Sequence, residues 1–265
     1  MSARSRSQHR LVRPWSPNQL SNGRSNAELA TEEPMAIELD GVRVATTMRT
    51  PGHDFELAAG FCHTEGLLDG NPVLSVKYCE TDSALATEFN VVSVSTGGKA
   101  PVPTPRLTAT TSSCGFCGTD EIDELASKLS PVAGAALDWQ VLADAPDRML
   151  QDQALFTETG AVHAAGVVNP NGAVTTTRED VGRHNAVDKV VGRLLFDEQI
   201  PAQGSAVVVS GRASFELVHK AWAAGFRALV SVSAPTALAV ATAERAGMQL
   251  AGFARGGSLT VYVDL

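Results

Sequence analysis

Apolar residues in "PMAIELDGVRVATTM", residues 34–48, fall into two short runs on either side of Asp40-Gly41. A two-residue turn of that type between β-like runs predicts a hairpin. In "TPGHDFELAAGFCHTEGLLDG" the pattern changes period. Pro51 and Gly52 break the strand, Asp54 can cap, and Phe55, Ala58, Ala59, Cys62 and Leu67 recur near one face, predicting a helix. Two β-like runs follow, "VLSVKYCE" and "EFNVVSVST". Periodicity then stops through "GGKAPVPTPRLTATTSSCGFCG", a Pro/Gly/Thr segment long enough to mark a functional loop or a seam between two parts.

Beyond the seam the alternation is regular. "GAVHAAGVVNPNGAVTTTRED" predicts a strand pair around Asn171-Gly172, and "DVGRHNAVDKVVGRLLFDE" a helix beginning near Asp180. "SAVVVSG", "ASFELVHKAWAAGF", "ALVSVSA" and "PTALAVATAERAG" predict strand, helix, strand, helix, the last with Pro at its start and Gly at its end. Two strands in "MQLAGFARGGSLTVYVDL" close the chain. The order β-β-α-β-α-β-α-β predicts an α/β layered domain with a mixed sheet. The expected organisation is a disordered Arg/Ser-rich tail over 1–30 and a smaller, mainly β N-terminal α+β part over 31–109. A mobile Cys-x-x-Cys loop over 110–120 and an α/β domain over 121–265 complete it.

Composition narrows the class. With 265 residues, 44% hydrophobic and 19% charged, the chain can bury a core without staples. No apolar run is long enough for a membrane span, and the N-terminus lacks the apolar stretch of a secretory signal, so no membrane partner is expected. A mitochondrial-type presequence is a weaker alternative to a plain tail, and a reducing, cytoplasmic setting is the default. Four cysteines, Cys62, Cys79, Cys114 and Cys117, are too few and too scattered for a disulfide framework. The net charge of -8 argues against a general nucleic-acid binder.

The candidate chemistry centres on "SSCGFCG". Cys114 and Cys117 stand three apart, within reach of each other or of one metal. A structural zinc needs four ligands, and the remaining donors, Cys62-His63 and Cys79, are isolated, so no metal is expected. The thioredoxin-like context of a strand leading into a helix is missing as well. A helix predicted from "TDEIDELASKL" favours thiolate through its N-terminus, whereas Asp120, Glu121, Asp123 and Glu124 favour the neutral thiol. A glycine-rich loop bearing an activated thiol suits a group carrier.

Later elements point to an anion. "TREDVGRHNAVDK" gathers Arg178, Arg183, His184, Asn185, Asp188 and Lys189 around one helix start; "SGR" places Arg212 just after a strand; "FARGGS" sets Arg255 before Gly256-Gly257. At the carboxyl edge of an α/β sheet such groups suit a phosphate-bearing ligand. The G-x-x-x-x-G-K-[ST] and G-x-G-x-x-G patterns are absent, which disfavours an ATPase or a dinucleotide dehydrogenase. The element order is similar to that of cytidine deaminases, but "HNA" lacks the glutamate of H-x-E and "SGRASFE" lacks the paired cysteines, so deaminase chemistry is excluded.

Taken in order, "MRTPGHDFELAAGFCHTEGLL", "SSCGFCG", "HAAG", "TREDVGRHNAVDKVVG", "VVSGRASFELVHKAWAAG" and "SAPTALAVATAERAGMQLAGFARGGSLTVY" resemble the FdhD family of formate dehydrogenase accessory sulfurtransferases. The resemblance runs from about Glu33 to the C-terminus. It implies a cytidine deaminase-like C-terminal domain, often a homodimer, and sulfur taken from a cysteine desulfurase as a persulfide. The sulfur would pass to the bis-molybdopterin guanine dinucleotide cofactor before that cofactor enters the formate dehydrogenase apoenzyme. Carried onto this chain, Cys114 bears the persulfide and Cys117 assists. Phe253, Ala254, Arg255, Gly256, Gly257 and Ser258 form the cofactor-binding segment, and Arg183, His184 and Arg212 are further candidates for its anionic groups. Cys62-His63 departs from the bulkier apolar residues expected there, which bears on packing. Two alternatives remain open: a cofactor-binding chaperone without sulfur transfer, and a thiol-disulfide oxidoreductase.

Overall fold

The computed structural model describes residues 5–17, 19–20, 23–79, 89–102 and 129–265. The Cys-x-x-Cys loop expected over 110–120 lies outside these residues.

The hairpin at Asp40-Gly41 forms as β5 (Glu33–Leu39) and β6 (Val42–Arg49), with both turn residues at positive φ, 47° and 82°. β5 also pairs in parallel with β8 (Val91–Ser95), which pairs antiparallel with β7 (Ser75–Tyr78), giving a four-stranded sheet in the order β6-β5-β8-β7. Helix α1 (Asp54–Thr64) covers this sheet, and Met35, Ile37, Leu39, Leu57, Ala58, Cys62, Val92 and Val94 close its core. The expected apolar stripe of α1 needs one correction. Phe55 is partly exposed against Tyr78, whereas Asp54, Glu56 and Thr64 are buried, because the helix packs on more than one side.

The second part is built on a six-stranded mixed sheet. The strands are β9 (His163–Val168), β10 (Val174–Asp180), β11 (Ala206–Val209), β12 (Ala228–Ser231), β13 (Gln249–Arg255) and β14 (Ser258–Val263). Their order is β10-β9-β11-β12-β13-β14, with β11, β12 and β13 parallel and the other pairings antiparallel. Both faces are covered, which explains why the central strands read as continuous apolar runs. On β11, Val207 and Val209 face a core shared with α5 (Arg183–Phe196), α6 (Phe215–Ala223) and α7 (Ala237–Ala246). Ala206 and Val208 face the opposite core, with Leu142 of α2 (Trp139–Ala143) and Ala145 and Met149 of α3 (Ala145–Leu150). A further short helix, α4 (Ala154–Thr159), precedes β9.

The tail expected to be disordered is instead partly structured. β1 (Ser7–Val12) pairs antiparallel with β4 (Ser25–Ala30), and β2 (Trp15–Ser16) with β3 (Gln19–Leu20) beyond it. The ribbon is anchored at its base, where the Thr31 N–H donates to the Arg6 carbonyl at 2.8 Å and Arg6 reaches Glu179 at 3.5 Å. Neither face is deeply buried, so its strands carry no alternation of apolar and polar positions to read.

The two parts meet where α1 lies across α5. A Cβ on Gly60 would stand 1.9 Å from the Asp188 carbonyl oxygen, and one on Gly192 would stand 1.8 Å from that of Glu56. Only glycine lets the two backbones come so close.

Candidate functional site

The carboxyl ends of β11, β12 and β13 deliver Ser210, Val232 and Ala254-Arg255 to one edge of the sheet. β9 runs the other way, so its first residue, His163, arrives at the same edge, as does Val181 just after β10. Helices α5, α6 and α7 all begin there, since each follows a strand that ends at this edge. Across the edge opens a cleft of about 480 Å³, roofed by Met149 and Leu150 of α3 and Phe156 of α4. Its walls are largely apolar; its polar groups are His163, Ser210, Asp147, Gln153 and Arg255.

His163 is half-buried. Burial first, and then the Arg183 charge, push its pKa below the ordinary histidine value, with Asp180 opposing them. The imidazole is therefore neutral near pH 7. Its Nδ1 lies 3.4 Å from the Ser210 hydroxyl, which accepts the Ala164 N–H at 2.9 Å and so has a fixed position. Arg183 stands behind this pair in the first turn of α5, its Nε enclosed and without a hydrogen-bond partner among the described residues. The N-cap of α5 is Gly182, which has no side chain to bond the first turn. The N-cap of α7, Thr236, does accept the Ala239 N–H at 3.2 Å.

The predicted "FARGGS" segment forms the turn from β13 into β14. Phe253 has φ 53° and is exposed, Ala254 is buried, and Arg255 lines the cleft. Gly256 and Gly257 carry φ of 57° and 71°, a turn that glycine makes without strain. Ser258 is exposed and sits opposite Arg255 across the turn. The Gly256 N–H donates to Asp147 Oδ2 at 2.9 Å.

Most of the charged cluster in "TREDVGRHNAVDK" turns inward rather than toward a ligand. Arg178 forms a two-pronged ion pair with Glu56 of α1, at 2.5 and 2.8 Å. Asp180 and Lys189 form a fully buried ion pair at 2.7 Å, and Lys189 also donates to the Thr50 carbonyl. Asn185 donates to the Met48 carbonyl, and Asp188 accepts from Thr64 and from Lys220 of α6. His184, expected at the ligand, faces Glu216 at 4.0 Å instead. Burial, then the Arg183 and Lys220 charges, bring its pKa down to about 4. Arg212 is exposed beyond β11 and is not among the cleft residues. Of the three predicted helix-start and strand-end candidates, Arg183 alone stands beside the cleft. This motif chiefly clamps the two parts together.

Cys114 and Cys117 lie outside the described residues. Of the other two cysteines, Cys62 is fully buried, and burial pushes its thiol up, so it is no nucleophile. Asp147, Ser210 and His163 were not predicted as site residues. His163 lay within the "HAAG" stretch that carried the resemblance, but nothing local marks the other two.

This arrangement defines an α/β protein with a nucleotide-sized cleft at the carboxyl edge of its parallel strands, flanked by helix starts and arginines. The chain belongs to the FdhD/NarQ family, which it matches over residues 30–264. It is 42% identical over 267 residues to the sulfur carrier protein FdhD of Nocardia farcinica, covering 99% of this chain and 94% of that one. Against the sulfur carrier protein FdhD of Streptomyces coelicolor it is 44% identical over 243 residues, 88% of this chain and 86% of that one. A crystal structure from Desulfotalea psychrophila, assigned as a formate dehydrogenase accessory protein, superposes with a TM-score of 0.79 at 25% identity and covers 97% of each chain. No helix among the described residues is long and apolar enough to cross a membrane.

Proposed function

We propose that this chain is a sulfur carrier, acting as a sulfurtransferase in the maturation of formate dehydrogenase. The observation that carries the reading is its similarity, over nearly the whole chain, to proteins named sulfur carriers. The donor is a cysteine desulfurase. The Cys114 thiolate attacks the outer sulfur of the donor persulfide, the donor's S–S bond breaks, and the donor thiolate departs, leaving Cys114 as the persulfide with no net oxidation. Cys117 assists by resolving or relaying sulfur.

The acceptor is the bis-molybdopterin guanine dinucleotide, which is cargo rather than a resident cofactor. The cleft's chemistry suits one nucleotide arm of it. Arg255 and Arg183 supply positive charge for phosphates. The neutral His163 offers a hydrogen bond without the cost of burying a charge, and apolar walls exclude water from a ring. In this reading the chain works as a homodimer, handing the loaded cofactor to the formate dehydrogenase apoenzyme.

Cys114→Ala is expected to abolish formate dehydrogenase maturation in a strain lacking the native gene, while leaving the far-ultraviolet circular dichroism unchanged. Maturation surviving the loss of both Cys114 and Cys117 overturns sulfur transfer and leaves a cofactor-binding chaperone.

A further inference from the structure

In "TREDVG", residues 177–182, Glu179 is the one charged side chain that the joint leaves unused. Arg178 and Asp180 reach α1 and α5, whereas Glu179 between them turns to the other face of β10 and is only 4% exposed. There it meets the start of α4. Its Oε2 accepts the Leu155 N–H at 3.1 Å and its Oε1 the Phe156 N–H at 2.8 Å. These first-turn amides have no acceptor within the helix, and the N-cap residue, Gln153, makes no side-chain cap bond. A helix of six residues does not hold itself, so this carboxylate decides where α4 begins. Arg6, at the base of the N-terminal ribbon, approaches the same Oε2 at 3.5 Å, and Ser7 donates to Glu158 of α4 at 3.1 Å. Gln153 and Phe156 line the cleft, but neither Glu179 nor any described ribbon residue does.

Resting on the proposed nucleotide cleft, we infer that Glu179 is a positioning residue, holding α4 and so the Phe156 ring over the cleft. Arg6 ties that roof to the N-terminal ribbon. Ligand affinity then depends on two side chains that touch no ligand. The carboxylate suits the task because an anion at a helix start makes charge-assisted bonds to two amides at once. Without it the first turn frays, the ring swings off the cleft, and water reaches the ligand. The segment whose composition resembles a disordered tail is a strap on the site.

Isothermal titration of the full chain with guanosine 5′-diphosphate tests this, using Glu179→Gln, Arg6→Ala, Phe156→Ala and the Glu179→Gln/Phe156→Ala pair. Glutamine fills the same space and keeps one acceptor oxygen. Glu179→Gln is expected to weaken binding about tenfold and Arg6→Ala about threefold. Once Phe156 is alanine, Glu179→Gln should change affinity by less than about twofold, because the ring it placed is gone. Hydrogen exchange at the Leu155 and Phe156 amides should quicken in Glu179→Gln while β11 and β12 keep their protection. Losses that simply multiply in the double variant overturn the inference, as does exchange that rises evenly across the sheet, since Glu179 would then support the fold at large. A native protein that binds the diphosphate, with Glu179→Gln binding it equally well, sinks the positioning role alone. A native protein that binds none sinks the nucleotide reading and this inference together.

Discussion

Near the joint, His184 is half-buried and Glu56 buried, and they respond to acid in different windows. The folded pKa of His184 is pushed down from 6.5 to about 4 by burial and by two neighbouring cations. Its contribution to stability is therefore complete above the unfolded value and is lost as pH falls from 6.5 toward 4. Burial alone would raise the Glu56 carboxyl, but the Arg178 fork and the His53 contact outweigh it and hold it at about 2, below its ordinary 4.5. That contribution, about 3 kcal/mol, is present above 4.5 and is lost as pH falls through 2. Urea midpoints measured from pH 8 to 2 should show His184→Gln flattening the upper part of the acid limb and Glu56→Gln flattening the lower part. Profiles that merely run parallel to the parent's would contradict these assignments. At the cleft, Arg255→Ala should weaken guanosine diphosphate binding by about tenfold, with a shallower salt dependence than the parent's. Unchanged affinity on titration would remove Arg255 from the site.

The crossing of α1 and α5 depends on two glycines and on charges that have no water to turn to. Gly192→Ala forces a methyl group onto the Glu56 carbonyl and should cost about 3 kcal/mol. Asp180→Ala leaves Lys189 charged and unpaired in the interior and should cost about 3–5 kcal/mol. Chemical denaturation reads both losses, and an effect below 1 kcal/mol, roughly the size of an ordinary surface change, would contradict them. These elements also show what a sequence makes legible. The hairpin at Asp40-Gly41, α1 and the strands and helices from His163 onward were readable because each buries a face and so repeats with a period. Helices α2, α3 and α4 run five or six residues, too short for a period to emerge. The N-terminal ribbon buries no face, and its Arg/Ser-rich composition resembled disorder. "EDVGRHNAVDK" was legible as a cluster of charges but not as a joint, because its partners Thr50, Glu56, Thr64 and Lys220 come from other segments.

At the level of the molecule, the joint makes the two parts one cooperative structure. Trp139 and Trp222 report on the larger part, whereas circular dichroism reports on both. The two signals should unfold at one temperature, and separate transitions would show that the parts are independent. The cleft was half legible in advance: glycines after Arg255 advertised a turn at a sheet edge, but Asp147, His163 and Ser210 converge only through strand order. The thiols that give the fold its proposed purpose must exchange sulfur with a donor before the cleft matters. Peptide mass mapping after incubation with a cysteine desulfurase and cysteine tests this most directly. The account expects the mass of one added sulfur on Cys114, removable by a reducing thiol and absent from Cys114→Ala. A fully active desulfurase that leaves both Cys114 and Cys117 unmodified would contradict it.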